Sequence, residues 1–504
     1  MSLSIDTLRA DGARFMEEIS REYYLASAGL KEQVELQPIY ARHRDIMSAE
    51  SLAMVLERFK GAAAGSEDHR SARILLEWQA EAQSARELSP MDEREMAWES
   101  SAMIALPDGS KLQYERAPIE IANGTDRQKR LAVEAARATL VEAEFAPMKK
   151  DHLQREREIT ERLALAADYN TGWTLLSGVP LLELRDQCAQ FLKDTADMWR
   201  ECYRDFVPRV LGIAPGDATR ADALALFRAR EFDGGFPARE MESRVHAQVR
   251  DMGVDPTAGG NIRLDTGERE GKRSRAFCAP VRIPNEVYLV LRPFGGQTDW
   301  NTFLHELGHA LHFGYMRQDL PFEYQWLGDN SVTESYAMLF DHLMQDDGWL
   351  KRYTDLGDVP RRDFLRAAGF EELHFLRRYC GKLVYETELY GGAVRWDSLP
   401  DLYVETLTGA TTFRYHRADA FVDVDPRYYS ARYLRAWQLQ SLVAETLTKN
   451  YNEDWWRNPS AGPWVVHNLF AEGQRELAHE QALRVAGKGL SFAPLIRKIE
   501  ALIG

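Results

Sequence analysis

The chain has 504 residues, of which 45% are hydrophobic, so it is long enough for one large enzyme body or for two to three average domains. Its net charge of −15 excludes a general electrostatic attraction to nucleic acid or to an anionic membrane. The four cysteines form no C-x-x-C pair and no dense framework, which excludes a disulfide scaffold and fits a reducing compartment.

The N-terminal segment MSLSIDTLRADGARFMEEIS has no apolar stretch of the kind that a signal peptide requires. No uncharged apolar run in the chain approaches the length that spans a membrane. We therefore expect a cytoplasmic protein with no nucleic-acid partner and no membrane partner. The sequence leaves its oligomeric state open.

The first two hundred residues predict a helical scaffold. Apolar residues recur at three- and four-residue intervals from residue 5 to about residue 95, which predicts successive amphipathic helices. Turn signals between residues 104 and 125 predict short extended pieces. Further helices are predicted over residues 126–167, with a break near Pro147, and over residues 181–207.

These helices contain no set of metal ligands and no nucleophile, so we interpret them as a wall that supports a site elsewhere. A Pro/Gly-rich break near Ala214 predicts a soft boundary. We assign residues 1–214 to an N-terminal helical lobe and residues 215–504 to a catalytic lobe, the two forming one continuous unit.

The sequence pattern changes from helical to β-strand between residues 276 and 292. The runs AFCAPVRI and EVYLVLR, between residues 276 and 292, are short, rich in β-branched and aromatic residues, and bounded by Gly and Pro, which predicts strands. The Gly-Gly turn at residues 295–296 ends them. Thr298 or Asp299 is the predicted N-cap of the helix that follows.

That helix contains an H-E-x-x-H motif, which predicts a metal site. His305 and His309 are four residues apart, so on a helix both imidazoles leave the same face and can bind one zinc ion. Glu306 lies one step round the helix, where a carboxylate can reach a metal-bound water without being a ligand. Two histidines of an ordinary structural helix are the alternative, because the motif is short.

A third ligand is available on the next predicted helix. Glu334 follows His309 by 334 − 309 = 25 residues, a gap that a loop and an antiparallel return helix can fill. Asp341 follows Glu334 by 341 − 334 = 7 residues, on the same helix face, where it could accept the free N–H of a metal-bound histidine. Each carboxylate also has an ordinary interpretation, since Ser331 and Glu334 fit a capping box and Asp341 fits a solvated helix face.

His312 shares the face of the two histidines but is not needed as a ligand. A metzincin site would require glycine at position 312 and histidine at position 315, where this chain has His312 and Tyr315. Beyond Asp341 the pattern returns to helices, with a predicted loop from Thr406 to Pro426.

The run GKRSRAFCAPVRIPNEVYLVLRPFGGQTDWNTFLHELGHALH, together with the downstream Glu334 and Asp341, resembles the thimet oligopeptidase and oligoendopeptidase F family of gluzincin metallopeptidases. The resemblance extends from about Asp265 to the C-terminus. It implies a mainly α fold, in which a large helical peptidase body is split by a deep substrate channel and a small β-sheet lies next to the H-E-x-x-H helix. It also implies one zinc ion per chain and short peptides as substrates.

The resemblance further implies tyrosines on a late helix. Tyr433 corresponds to an oxyanion donor, and Tyr429, one turn earlier, to a contact with a substrate carbonyl, although aromatic residues at this spacing are also typical of a core. Many relatives have a histidine shortly before these tyrosines. This chain has Arg427 there and His416 further back, so either could serve as the second electrophile.

The predicted function is zinc-dependent hydrolysis of internal bonds in short unstructured peptides, with Glu306 as the base. The strand at Ala276, Phe277 and Cys278 could pair with the substrate backbone as an added strand. Three alternatives remain at this point: a gluzincin carboxypeptidase or dipeptidyl carboxypeptidase, a peptide-binding relative that has lost catalysis, and a helical scaffold without metal.

Overall fold

The computed structural model describes residues 4–163 and 166–504. Helices make up most of these residues and the sheets are small, so the fold is mainly α, as the sequence predicts. In chain order the helices are α1 (Ile5–Ser27), α2 (Gln37–Arg42), α3 (Ala49–Gly61), α4 (Glu67–Ser101), α5 (Ala117–Asn123), α6 (Arg127–Leu140), α7 (Ala146–Leu163), α8 (Tyr169–Ser177), α9 (Leu181–Asp194), α10 (Ala196–Phe206), α11 (Arg220–Phe227), α12 (Ala238–Asp251), α13 (Gln297–Gly314), α14 (Phe322–Trp326), α15 (Asn330–Asp341), α16 (Asp347–Tyr353), α17 (Asp358–Gly391), α18 (Leu399–Thr411), α19 (Tyr429–Tyr451), α20 (Ala461–Asn468), α21 (Ala478–Ala486) and α22 (Ala493–Ile503). The strands are β1 (Met103–Ala105), β2 (Lys111–Gln113), β3 (Ile262–Asp265), β4 (Phe277–Arg282) and β5 (Glu286–Val290). Within the described ranges no helix is both long and apolar enough to cross a bilayer.

Two long predicted helices are interrupted in the structure. The helix predicted over residues 126–167 consists of α6 and α7, joined by a π-helical turn at Val141–Phe145 directly before Pro147. Proline has no N–H to donate to the preceding turn, which explains a break at this place. The predicted end of this helix includes residues 164–165, which lie outside the described residues. The helix predicted over residues 181–207 divides at Thr195 into α9 and α10.

The loop predicted from Thr406 to Pro426 is too long. Helix α18 continues to Thr411, and it buries Leu407 and Ala410. The Gly- and Thr-rich sequence favours a loop locally, but the burial of these apolar side chains stabilises the last helical turn. The loop begins only at Thr412, which has a left-handed backbone conformation with φ of 65°.

The chain forms two compact units, each assembled from three segments. The first unit contains residues Met1–Gln79, Arg230–Leu365 and Arg435–Leu495, and the second contains the remaining segments. The predicted boundary near Ala214 lies inside the second unit, close to its junction at Ala229. A single boundary does not describe this interleaved arrangement. The assignment of residues 1–214 as a channel wall remains a prediction.

The first unit contains the three-stranded sheet that supports the central helix. Its strand order is β3-β5-β4, with β3 parallel and β4 antiparallel to β5, so β4 is an edge strand. Strand β3 was not predicted. Tyr24 of α1 and its C-cap residue Ala28 pack with Ala279, Val281 and Val290 of the sheet. Helix α13 contacts β4 and β5, which confirms the prediction of a small sheet beside the H-E-x-x-H helix.

Helix α13 also packs along α15, and the two backbones approach closely at Gly308. A Cβ atom at Gly308 would lie 2.6 Å from Ala337 Cα and 2.7 Å from the Tyr336 carbonyl oxygen. Both neighbours are backbone atoms that cannot rotate away. Any larger side chain at this position would therefore push the two helices apart.

We expect Gly308→Ala to lower the free energy of unfolding by about 1–3 kcal/mol, the usual cost of overpacking a tight core. Chemical denaturation monitored by circular dichroism measures this change. Gly409→Ala is the matched control, because Gly409 is also helical but has no heavy atom within 4 Å of the added Cβ. Alanine is the better helix former, so the control should be neutral or stabilising. Equal stability of the two variants would contradict the close approach.

Candidate metal centre

Two adjacent helices place three potential metal ligands together. His305 and His309 leave α13, and Glu334 leaves the second turn of α15. His305 Nε2 lies 3.4 Å from Glu334 Oε2, and His309 Nε2 lies 3.7 Å from the same oxygen. The three potential ligand atoms all lie within 4.8 Å of one another.

This donor set fits zinc in both chemistry and spacing. Two imidazole nitrogens and one carboxylate oxygen are ligands found in catalytic zinc sites. Zinc bonds of about 2.0–2.1 Å in a tetrahedral arrangement place neighbouring ligand atoms about 3.3–3.4 Å apart. The observed separations of 3.4 and 3.7 Å between the imidazoles and Glu334 are close to that value. Three protein ligands leave one tetrahedral position for water or substrate.

Each histidine directs its other ring nitrogen to a polar side chain of α15. His305 Nδ1 lies 2.8 Å from Asp341 Oδ2, and His309 Nδ1 lies 3.0 Å from Thr333 Oγ1. Asp341 also bonds His342 through its other oxygen. Partners on Nδ1 hold both rings so that Nε2 is free to face a metal, as is usual for metal-bound histidines.

The electrostatics of the site favour a cation. Burial lowers the pKa of His305, but the hydrogen bonds to Asp341 and Glu334 raise it to about 10. Burial raises the pKa of Asp341, but His342 and His305 hold it below its usual value. Burial, opposed by Glu334, lowers the pKa of His309. The two buried carboxylates therefore attract positive charge to the place where the imidazole nitrogens converge.

Glu306 does not belong to the ligand cluster and contacts the edge strand instead. Its Oε2 accepts a hydrogen bond of 3.0 Å from the backbone N–H of Cys278 on β4. Burial, with the nearby Glu306 carboxylate, raises the pKa of the Cys278 thiol well above its ordinary value, which disfavours the thiolate form. Ala276 is buried, whereas Phe277 and Cys278 are partly exposed. Pairing of a substrate with this strand remains a prediction.

The other predicted site residues belong to the second unit. Tyr429 and Tyr433 on α19 are half-buried, and their rings lie 5.0 Å apart. Arg427 has a left-handed backbone conformation, and its guanidinium lies 3.5 Å from Glu81 and 3.7 Å from Glu156. His416 is exposed, and its Nδ1 accepts a hydrogen bond from the Ala418 N–H. The catalytic and substrate-binding roles of these four residues remain predictions.

Two local interpretations from the sequence are corrected. Helix α13 begins two or three residues earlier than predicted and has Gly296 as its N-cap, while Asp299 accepts hydrogen bonds from the N–H groups of Phe294 and Gly295. The N-cap of α15 is Asp329, which accepts from the N–H of Ser331. Ser331 is therefore inside the helix, and the capping-box interpretation of Glu334 is wrong.

Thr333 was not identified from the sequence as part of the site. A hydroxyl residue directly before the candidate ligand Glu334 was the available signal, but a threonine in a helix rarely has a specific role. Only the packing of α15 on α13 reveals that Thr333 contacts two histidines.

A second cluster of potential ligands lies in the second unit. Asp92, Glu95 and His152 also have ligand atoms within 4.8 Å of one another. Lys149 already pairs with Glu95 at 3.1 Å, and His152 bonds the same carboxylate at 2.9 Å. Lys149 and His152 thus already occupy the Glu95 carboxylate without a metal, so we interpret the cluster as an ion-pair network.

Comparisons with known proteins support the fold. No protein-family model and no curated protein sequence matches the chain. A solved structure described as a "putative peptidase from Chlamydophila abortus" matches with a TM-score of 0.68, over 99% of this chain and 89% of that chain, at 15% identity. At this identity the match shows a shared fold alone. Membership of the thimet oligopeptidase family remains a prediction.

We expect Asp341→Ala to retain the metal but to lower its affinity by about tenfold to a hundredfold, because the His305 ring loses the carboxylate that orients it. Competition with a chromogenic chelator measures the zinc dissociation constant. Asp319→Ala is the control with the same change of charge, because the Asp319 side chain is 80% exposed. Equal zinc affinities in the two variants would show that Asp341 does not contribute to zinc binding.

Proposed function

We propose that this protein is a zinc-dependent metallopeptidase that hydrolyses internal bonds of short unstructured peptides. The observation that carries the proposal is the convergence of His305, His309 and Glu334 from two packed helices. These three side chains would hold one zinc ion per chain. A zinc ion in such a site supplies Lewis-acid chemistry, since it lowers the pKa of water toward neutrality and polarises a peptide carbonyl.

Glu306 is the proposed general base. It lies next to His305 in the chain but outside the three-ligand cluster. Its carboxylate is therefore not needed as a metal ligand and can accept a proton. The hydrogen bond from the Cys278 N–H holds one carboxylate oxygen and leaves the other for proton transfer. In the proposed reaction Glu306 takes a proton from the attacking water and gives it to the leaving amine.

The edge strand supports a peptide as substrate. Among the described residues, strand β4 lies at the edge of its sheet, and the backbone N–H of Cys278 on this strand donates to the proposed base. An extended peptide that pairs with such an edge is recognised mainly through its backbone, which makes sequence preference loose. Tyr433 is the proposed oxyanion donor, on the basis of the family resemblance.

The division of roles between base and ligand is testable by two glutamate variants. Glu306→Gln should retain one zinc per chain but lose nearly all turnover, because the amide cannot accept the proton. Glu334→Gln and His309→Ala should instead lose zinc during purification. Elemental analysis and a peptide-cleavage assay measure the two properties. Wild-type protein that cannot be loaded with zinc would overturn the proposal.

Tyr433 should act on the chemical step rather than on binding. We expect Tyr433→Phe to lower kcat about a hundredfold with little change in KM, the usual loss for one oxyanion donor. Tyr451→Phe, at the other end of the same helix, is the control and should leave kcat unchanged. A normal kcat in Tyr433→Phe would transfer the role to Tyr429, His416 or Arg427.

Substrate size and end dependence separate the proposed activity from its nearest alternatives. We expect cleavage of unstructured peptides of about five to twenty residues, which extend at about 3.3 Å per residue, and little cleavage of folded proteins. Mass spectrometry of a peptide library provides the readout. Peptides with blocked termini should be cleaved as well as free ones. Loss of cleavage on blocking the C-terminus would indicate a carboxypeptidase or dipeptidyl carboxypeptidase.

A further inference from the structure

Thr333 lies between two histidines of the H-E-x-x-H helix. Its Oγ1 lies 3.0 Å from His309 Nδ1 and 3.1 Å from His312 Nδ1. Thr333 itself is buried on α15, one residue before Glu334. His309 is a proposed zinc ligand, whereas His312 has no role in the proposed reaction.

A hydroxyl group has one proton, so it can donate to only one of these two nitrogens. If His309 binds a metal through Nε2, its Nδ1 must carry the ring proton. His309 Nδ1–H then donates to Thr333 Oγ1. The hydroxyl proton of Thr333 remains available for His312 Nδ1, which accepts it when His312 is the Nε2–H tautomer.

The surroundings of His312 agree with the acceptor role. The ring is fully buried, with the rings of Tyr336 and Phe313 at 4.8 Å and 5.2 Å. Burial in such an apolar environment disfavours imidazolium, so His312 is neutral and one ring nitrogen is an acceptor. Burial, followed by the effect of His309, lowers the pKa of His312 to about 3, and the Gly473 backbone acts in the opposite direction.

We propose that Thr333 and His312 form a hydrogen-bond relay, His309 Nδ1–H to Thr333 Oγ1–H to His312 Nδ1, that sets the tautomer and orientation of His309 for zinc binding. This inference rests on the proposed zinc site and assigns two positioning residues to it. Asp341 orients His305 directly through a carboxylate. The relay performs the same task for His309 with neutral groups, so it adds no further negative charge to the buried site.

Zinc affinity distinguishes the relay from simple core packing. Thr333→Val keeps the shape of the side chain but removes the hydroxyl, and we expect about a tenfold to hundredfold weaker zinc binding. Thr333→Ser retains the hydroxyl and should restore most of the affinity. His312→Phe keeps an aromatic ring in the aromatic cluster and should weaken zinc binding in the wild-type background.

The double variant provides the sharper control. Because both residues act through one hydrogen-bond chain, His312→Phe should cause no further loss of zinc affinity when Thr333 is already valine. Additive losses would show that the two side chains act separately and would overturn the relay. So would equal affinity in Thr333→Val and wild-type protein.

A measurement on metal-free protein separates this inference from the proposed function. Nitrogen-15 NMR of histidine-labelled protein reports which ring nitrogen carries the proton. We expect His312 as the Nε2–H tautomer, with an Nδ1 signal that shifts in Thr333→Val but not in Thr333→Ser. An Nδ1–H tautomer of His312 would overturn the relay, even if wild-type protein binds zinc. Wild-type protein that binds no zinc but shows the expected tautomer would overturn the zinc site and leave the hydrogen-bond chain intact.

Discussion

The close packing of α13 on α15 is the constraint on which the candidate site depends. Gly308 has no side chain, which allows the two backbones to approach closely. A Cβ atom added at Gly308 would lie only 2.6 Å from Ala337 Cα. At this separation, side chains of ordinary length from the two helices converge on one point. Glu334 reaches the face of α13 that carries His305 and His309, and its Oε2 lies 3.4 and 3.7 Å from their Nε2 atoms.

The same packing explains how the buried charges are tolerated. Glu334 and Asp341 are carboxylates in the protein interior, where an unpaired charge costs several kcal/mol. Each lies against an imidazole of the neighbouring helix, and a bound cation would offset their charge further. The site is thus electrostatically costly without positive charge, which a protonated imidazole or a bound cation can supply.

The sheet adds a second constraint from the other side of α13. Strand β4 is an edge strand, and the N–H of Cys278 that faces away from β5 donates to Glu306. One backbone group therefore connects the proposed base with the edge strand. Pro280, two residues further along the same strand, has no backbone N–H. Proline is tolerated at such a position because an edge strand has one side without strand pairing.

The sequence by itself determined that His305 and His309 share one helix face, because an i, i+4 pair on a helix does so whatever the surroundings. Its periodicity also predicted most of the helices and the strands β4 and β5, while the family resemblance supplied the mainly α class and the sheet beside the central helix. Only the tertiary structure decided that Glu334 does not belong to a capping box. It also decided that Thr333 lies between His309 and His312, and that Glu306 contacts Cys278. It also decided the interleaving of the two units, which no local pattern encodes. Each of these features depends on which surfaces pack together across long stretches of chain, and side-chain periodicity does not specify that.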